Sequence, residues 1–181
     1  LTEQAKQLTL TSRAFHSNLL GESEAYITNY FGYDKVLPMN TGVEAVETGI
    51  KLCRRWGYEV KGIEDGKAVI VVCDGNFHGR TSTVISFSSD PSSKKNFGPY
   101  MPGFVSIPYN DTAALAKVLD NKNVAGFLVE PIQGEAGVLV PDDGYLSKAK
   151  AICEAANVLF IADEIQTGLA RTGGMLACDH E

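Results

Sequence analysis

Three continuous apolar segments, each followed by polar residues, limit most strongly what this chain folds into. Residues 158–162 are all apolar and end at Asp163, and residues 68–73 and 124–129 form similar runs. Apolar runs of this length without alternation are typical of strands that helices cover on both faces, as in parallel sheets. Helical patterns separate the runs, so the sequence predicts an α/β domain with a mostly parallel sheet and helices on both faces.

Apolar spacing and glycine positions predict the helices. An apolar residue every three or four positions indicates a helix from Val43 to beyond Cys53, which Gly57 is expected to end. The same signals give the remaining elements. These are helices over residues 1–9, 20–31, 112–119 and 144–156, a polar stretch over 12–16, a β-prone segment over 83–87, a long irregular segment over 90–103 and a short strand over 104–108.

The composition excludes several classes of function. Hydrophobic residues make up 44% of the 181 residues and charged residues 21%, which is typical of a globular domain. The formal net charge of -6 argues against a nucleic-acid or anionic-membrane partner, because both attract basic patches. No apolar run reaches about 18 residues and the start at Leu1 is polar, so we expect neither a membrane span nor a signal peptide. The absence of an initial methionine predicts a piece of a longer protein.

The four cysteines, Cys53, Cys73, Cys153 and Cys178, form no CxxC pair and have no metal-ligand spacing. The sequence therefore predicts no metal site. It predicts reduced, mostly buried thiols in an intracellular protein. A redox role for Cys53 and Cys73 stays open, because the two residues could be close in space.

Polar side chains follow each predicted strand at its carboxyl end. In parallel sheets these ends share one edge, and ligands bind outside that edge. Asp163 needs a cation or a hydrogen-bond donor there, because an unpaired buried carboxylate is costly. The sequence therefore predicts a binding site built by three pairs of residues, which are Phe77 and Arg80, Glu130 and Glu135, and Asp163 and Gln166.

A second signal lies where a loop enters the helix at Val43. Free backbone N–H groups and the helix dipole make such an N-terminus a site for anions, especially phosphate, and Gly42 permits close approach. An ordinary N-cap at Asn40 or Thr41 explains the same residues without a ligand. We do not expect nucleotide hydrolysis or dinucleotide binding, because neither G-x-x-x-x-G-K-[ST] nor G-x-G-x-x-G occurs.

Four segments carry a resemblance to a known family. They read MNTGVEA (residues 39–45), NFHGRT (76–81), VEPIQGEAG (129–137) and LFIADEIQTG (159–168). In this order they resemble the class III pyridoxal 5'-phosphate (PLP) aminotransferases, which have the type I fold of PLP-dependent transferases. The match covers essentially the whole chain, and FGPYMPGF (97–104) and IPYND (107–111) are most similar to the ornithine-type branch. The resemblance implies part of the large PLP-binding domain, without the N-terminal segment and the C-terminal small domain.

The resemblance also implies a cofactor site. The backbone N–H groups of Gly42 and Val43 are expected to hold the PLP phosphate, and Phe77 to stack on the ring. Asp163 is expected to act in catalysis by pairing with the protonated ring nitrogen, and Gln166 to reach the ring's 3-oxygen. The residues expected to bind PLP are Thr41, Gly42, Val43, Phe77, His78, Asp163 and Gln166.

Three further residues are expected to bind substrate. By resemblance, Arg80 binds the substrate's α-carboxylate, Glu130 lies near cofactor and substrate, and Glu135 pairs with an arginine late in the chain. His78 departs from family members that carry tryptophan at this position. Because of this departure, the resemblance does not determine what forms the wall of the expected pocket, although it still determines the reaction class.

The implied reaction transfers the δ-amino group of ornithine to 2-oxoglutarate, giving glutamate semialdehyde and glutamate. Transfer from acetylornithine or another ω-amino acid is the alternative. Family members hold PLP on a lysine downstream of the aspartate, whereas the last lysine here is Lys150. The chain alone is therefore expected to be inactive, and a non-catalytic fragment is the alternative of another class.

The resemblance implies small-molecule partners and a homodimer. The partners are an amino donor and a 2-oxo acid, with no nucleic acid and no membrane. The long segment over residues 90–103 is expected to pack against the second subunit. The expected compartment is the bacterial cytoplasm or the mitochondrial matrix.

Overall fold

The computed structural model describes residues 1–12 and 14–181, which form two compact units, Leu1–Pro38 and Met39–Glu181. The predicted polar stretch over 12–16 therefore lies partly outside the described residues, since it includes residue 13. The first unit contains helix α1, Thr2–Gln7, and helix α2, Leu20–Phe31. Helix α2 ends as predicted, because Gly32 adopts the left-handed conformation with φ of 71°.

The second unit is built on a parallel sheet of four strands. The strands are β1, Val69–Cys73; β2, Phe104–Ile107; β3, Val124–Val129; and β4, Leu159–Ala162. Their order is β2-β1-β3-β4, and every neighbouring pair is parallel. The predicted α/β architecture with a mostly parallel sheet is confirmed.

Strands β3 and β4, which Glu130 and Asp163 follow, differ in burial. All six residues of β3 are buried, because β1 and β4 flank the strand and helices cover it. All four residues of β4 are only half-buried. Val158 is buried, as the apolar run predicted, but two-sided burial is wrong for residues 159–162. The reason is the edge position of β4, since no strand among the described residues pairs with its outer side.

Helices cover both faces of the sheet. Alternate β1 side chains serve opposite faces: Val71 packs in a core with helices α6 and α7, and Ile70 in a core with helices α3 and α4. The helices of this unit are α3, Gly42–Glu59; α4, Ser82–Ser86; α5, Pro91–Lys94; α6, Thr112–Val118; and α7, Tyr145–Ala155, followed by the 3₁₀ helix Ala177–His180.

Helix α3 carries the apolar stripe that the sequence predicted, and it ends later than expected. Val46, Ile50 and Cys53 are buried, which confirms the stripe, but the helix continues past Gly57 to Glu59. The glycine serves packing, because a Cβ at Gly57 would lie 3.0 Å from the Ala125 Cβ on β3. A residue without a side chain lets the helix approach the sheet closely there.

Residues 83–87 were predicted to be β-prone, but residues 83–86 lie in helix α4 and Phe87 is its C-cap. The Thr81 hydroxyl accepts a hydrogen bond from the Val84 N–H and so caps the helix, which outweighs the β preference of the segment.

The cysteines are free thiols, three of them buried and Cys178 half-buried. Cys53 and Cys73 belong to the cores on opposite faces of the sheet, which opposes a redox pair between them. No helix within residues 1–12 or 14–181 combines the length and apolar character needed to cross a membrane.

Candidate active site

The carboxyl ends of β1, β3 and β4 meet at one edge, as the sequence predicted. The Asp163 N–H donates to the Val129 carbonyl at 2.8 Å, which carries the β3–β4 ladder one residue beyond its last strand pair. The loop after β1 reaches both carboxylates: the Phe77 N–H donates to Glu130 Oε2 at 3.0 Å, and His78 Nδ1 lies 2.6 Å from Asp163 Oδ2. Residues far apart in sequence therefore form one hydrogen-bonded cluster.

The N-terminus of α3 faces the same edge. Thr41 is its N-cap, since the hydroxyl accepts a hydrogen bond from the Glu44 N–H at 3.2 Å. Within the described ranges no protein acceptor receives the N–H groups of Gly42 and Val43, the first two of this 18-residue helix. Two oriented donors at a helix N-terminus suit an anion such as phosphate. The ordinary cap and the anion site thus coexist, with Thr41 serving the cap.

A cavity of about 240 Å³ joins the helix N-terminus to the sheet edge. This volume lies near the lower end of the range for small-molecule pockets. The cavity brings together eight of the ten predicted site residues, while Thr41 and Arg80 lie outside its lining. Its lining residues are Gly42, Val43, Phe77, His78, Gly79, Glu130, Ile132, Glu135, Asp163, Ile165 and Gln166.

Sequence reasoning missed three of these lining residues, Gly79, Ile132 and Ile165. Gly79 carries a signal, because its φ of 121° and the 2.4 Å that a Cβ would leave to Val43 Cγ2 both require glycine. Ile132 and Ile165 are apolar residues inside otherwise polar motifs, which is a weaker signal for a pocket wall. A larger, more open groove of about 780 Å³ runs along β4 and also reaches Asp163.

Both oxygens of Asp163 have protein donors. Oδ2 faces His78 Nδ1, and Oδ1 accepts the Ile165 N–H at 3.1 Å. The Asp163 side chain is only 7% exposed and that of His78 is fully buried. The carboxylate is thus held in one orientation at the cavity wall, and each oxygen keeps a second lone pair for a ligand.

Glu130 is buried with fewer partners. Its carboxyl accepts the Phe77 N–H, yet burial raises the pKa of Glu130 from 4.5 to about 7. The nearby carboxylates of Asp163 and Glu135 raise this pKa further, while the Phe77 hydrogen bond, and a positive charge on His78 wherever that imidazole is protonated, lower it. Glu130 therefore exchanges a proton near neutral pH, beside a carboxylate that is fixed by donors.

The exposed side chain of Arg80 lies over the half-buried ring of Phe77. The Arg80 guanidinium carbon lies 5.3 Å from the centroid of the Phe77 ring, within range of a cation–π contact. None of the ion pairs formed by the described residues involves Arg80, which is exposed. Its donors are available to a carboxylate ligand, with which arginine forms paired hydrogen bonds.

Gln166 and Glu135 are joined at the opposite wall. Gln166 Nε2 donates to Glu135 Oε1 at 3.3 Å, and both residues are exposed. A Cβ at Gly134 would lie 1.5 Å from Gln166 Oε1. Gly134 therefore makes the space that the Gln166 amide occupies.

Residues 1–181, the whole chain, match the family described as Aminotransferase class-III. The chain belongs to this family. Its members are PLP-dependent aminotransferases of the type I fold, which confirms the expectations for fold class, cofactor and enzyme class.

Similar proteins indicate which branch of the family this chain resembles. The chain is 64% identical to rat "Ornithine aminotransferase, mitochondrial" over all 181 residues, which are 41% of the relative. It is 57% identical to the *Caenorhabditis elegans* protein named "Probable ornithine aminotransferase, mitochondrial", with 99% of the chain and 42% of the relative covered. The chain thus spans about two fifths of the length of these relatives.

Solved structures agree on the fold. The ornithine aminotransferase from *Toxoplasma gondii* superposes with a TM-score of 0.97 at 51% identity, over 99% of this chain and 42% of the other. An acetylornithine aminotransferase from Elizabethkingia anophelis superposes with a TM-score of 0.84 at 59% identity, over 99% of this chain and 44% of the other. The PLP expected in this family matches the cavity: unpaired N–H groups suit its phosphate, Phe77 suits its flat ring, and Asp163 suits a protonated ring nitrogen.

Proposed function

We propose that this chain is the central part of the large PLP-binding domain of an ornithine aminotransferase. The reaction is transfer of the δ-amino group of ornithine to 2-oxoglutarate, giving glutamate semialdehyde and glutamate. One observation carries the proposal: a single cavity combines unpaired N–H groups at a helix N-terminus, an aromatic ring and an oriented carboxylate. The 64% identity to the rat enzyme supports ornithine as the donor.

The helix end of the cavity binds the phosphate in this proposal. The N–H groups of Gly42 and Val43 donate to phosphate oxygens, and the dipole of α3 adds partial positive charge. Thr41 acts indirectly, because its cap fixes the first turn that carries both donors. Phe77 supplies a flat apolar surface for the ring at the middle of the cavity.

The residues at the strand end of the cavity control the charge on the PLP ring in this proposal. Bound PLP supplies an electron sink that stabilises a carbanion on the substrate. Asp163 keeps the ring nitrogen protonated by pairing with it, and Gln166 donates to the ring's 3-oxygen. The hydrogen bonds on both Asp163 oxygens hold the carboxylate in one orientation.

The exposed rim binds substrate. Arg80 pairs with a substrate carboxylate, since it is a cation beside the cavity without a protein carboxylate partner among the described residues. Glu130 and Glu135 line the cavity and contact the amino donor. The raised pKa of Glu130, about 7, lets this carboxyl accept a proton near neutral pH.

Acetylornithine is the second candidate donor, favoured by the 59% identity to the *Elizabethkingia* structure. Steady-state assays of the full-length enzyme with ornithine, acetylornithine and 4-aminobutyrate, each with 2-oxoglutarate, separate the candidates. We expect the highest kcat/KM for ornithine. A clear preference for either of the other donors would replace the proposal by that activity.

The lysine that holds PLP lies outside residues 1–181 in this proposal, because the last lysine of the chain is Lys150. Intact mass spectrometry of the natural protein tests this point against a non-catalytic fragment. We expect a mass more than twice the 19.5 kDa of this chain, together with the visible absorbance of bound PLP. A mass near 19.5 kDa without that absorbance would establish the fragment.

We further propose a homodimer in which residues 90–103 contact the partner subunit. Three large apolar side chains in this segment, Phe97, Tyr100 and Met101, are 61%, 42% and 42% exposed, as expected for a surface that a partner covers. Light scattering of the full-length enzyme is expected to give twice the chain mass, and Phe97→Asp to lower it. The compartment proposed is the mitochondrial matrix or the bacterial cytoplasm.

A further inference from the structure

His78 is the least explained residue of the cavity. Its side chain has no exposed surface, and Nδ1 lies 2.6 Å from Asp163 Oδ2. The other ion pairs of the described residues are exposed pairs one helical turn apart. Nε2 is buried and has no partner among those residues. Each nitrogen of this imidazole is therefore in a distinct setting.

The surroundings decide where the imidazole proton lies. Asp163 Oδ1 accepts a backbone N–H, and an ionised carboxylate can only accept at Oδ2 as well, so Nδ1 is the donor to an ionised Asp163. A second proton on Nε2 would bury an N–H group that has no hydrogen-bond acceptor. An unprotonated Nε2 leaves only an acceptor lone pair without a donor. Among the described residues Glu130, which directly follows β3, is a further titratable group near His78, and burial raises its pKa to about 7. The Phe87 ring, centred 6.0 Å away, supplies no acceptor.

We propose that His78, as the neutral Nδ1–H tautomer, is a positioning residue that holds the Asp163 carboxylate in its ligand-binding orientation. The assignment of PLP as that ligand rests on the function proposed above, whereas the tautomer does not. With Nδ1–H on Oδ2 and the Ile165 N–H on Oδ1, rotation of the carboxylate breaks at least one hydrogen bond. A fixed carboxylate needs no reorganisation when a cationic ring nitrogen arrives.

Neutron diffraction of the full-length protein tests the tautomer directly. We expect deuterium on Nδ1 of His78 and none on Nε2. His180 is the internal control, because its Nε2 lies 3.1 Å from the Thr172 carbonyl and must carry the proton there. Deuterium on Nε2 of His78, alone or together with Nδ1, would overturn the assignment.

Paired variants test the positioning role. His78→Phe keeps a ring and removes the donor, whereas the amide N–H of His78→Asn occupies nearly the place of Nδ1. Titration of the full-length apoenzyme with PLP, followed by fluorescence, is expected to show about tenfold or greater loss of affinity for His78→Phe. His78→Asn should recover most of that loss, and the exposed control His180→Phe should bind like the unaltered protein.

Unaltered affinity in His78→Phe, or equal losses in both His78 variants, would refute the positioning role. Thermal unfolding of the apo forms separates misfolding from loss of the hydrogen bond. If His78→Phe does not fold, the proposal is tested by the PLP affinity of His78→Asn, which should be close to that of the unaltered protein, and by the position of deuterium on His78. If the unaltered protein binds no PLP, the proposed function fails, and the tautomer seen by diffraction then decides the assignment on its own.

Discussion

Glu130 and Asp163 leave neighbouring strands of one sheet, and their surroundings differ. Asp163 follows the half-buried edge strand β4 and has a donor on each oxygen. Glu130 follows the fully buried β3 and accepts one backbone N–H, so its pKa rises to about 7. The same sheet edge therefore holds one carboxyl group with a single donor and a raised pKa beside one that two hydrogen bonds orient.

The difference fits two tasks in one cavity. A carboxylate that must face a cationic ring nitrogen needs a permanent charge and a fixed direction. A group that exchanges protons with substrate needs a pKa near the working pH.

Replacing the fixed carboxylate is expected to have the largest effect. Asp163→Ala in the full-length enzyme should lower kcat about 100- to 1,000-fold, because the ring nitrogen loses its counter-charge. Steady-state kinetics measures the loss, and the absorbance of bound PLP reports on the cofactor. Turnover equal to that of the unaltered enzyme would remove Asp163 from its assigned role.

Glu130→Gln is expected to act on stability in a pH-dependent way. The raised pKa means that folded Glu130 keeps a proton that the unfolded chain releases between pH 4.5 and about 7. Stability from this group therefore falls as pH rises through that window and levels off above it. Relative to the unaltered protein, Glu130→Gln should gain roughly 3 kcal/mol between pH 4.5 and pH 8.

Denaturant unfolding of both proteins at several pH values measures this gain. The glutamine oxygen can still accept the Phe77 N–H, so the comparison isolates the charge. A difference in unfolding free energy that stays constant with pH would show that Glu130 titrates like an exposed glutamate.

Arg80→Ala extends the comparison to an exposed charge. Because Arg80 is exposed and forms none of the ion pairs among the described residues, its loss should leave the thermal midpoint within a degree or two of the unaltered value. The KM for the amino donor should rise about tenfold or more, since a charge-assisted contact is removed. Retained PLP absorbance is the control, and loss of the cofactor would give Arg80 a structural role instead.

The smallest effect is expected at the far end of the cavity from both carboxylates. Thr41→Ala removes the cap of α3 and should cost about 1 kcal/mol of unfolding free energy. PLP affinity should fall only slightly, because the Gly42 and Val43 donors belong to the backbone. Thr41→Ser, which keeps the hydroxyl, is the matched control and should behave like the unaltered protein. A loss of PLP binding as large as that of Asp163→Ala would mean that Thr41 itself contacts the phosphate.

Local pattern predicted the elements well where one pattern dominated. The three apolar runs became β1, β3 and β4, and helix α2 has the predicted bounds and C-cap. Pattern failed where a long-range contact or a cap took precedence. Gly57 remains inside α3 because the helix packs closely on Ala125, and residues 83–86 are helical because Thr81 caps them.

The amino-acid sequence by itself determined the architecture and which residues meet at one edge of the sheet. Strand–helix alternation fixes a parallel sheet, and such a sheet collects Phe77, Glu130 and Asp163 at one edge. Only the tertiary structure decided what those groups do. The pairing of His78 with Asp163 joins residues 85 positions apart, and the proton on Glu130 depends on burial among neighbours from several elements. Both are properties of surroundings in space, which spacing along the chain does not encode.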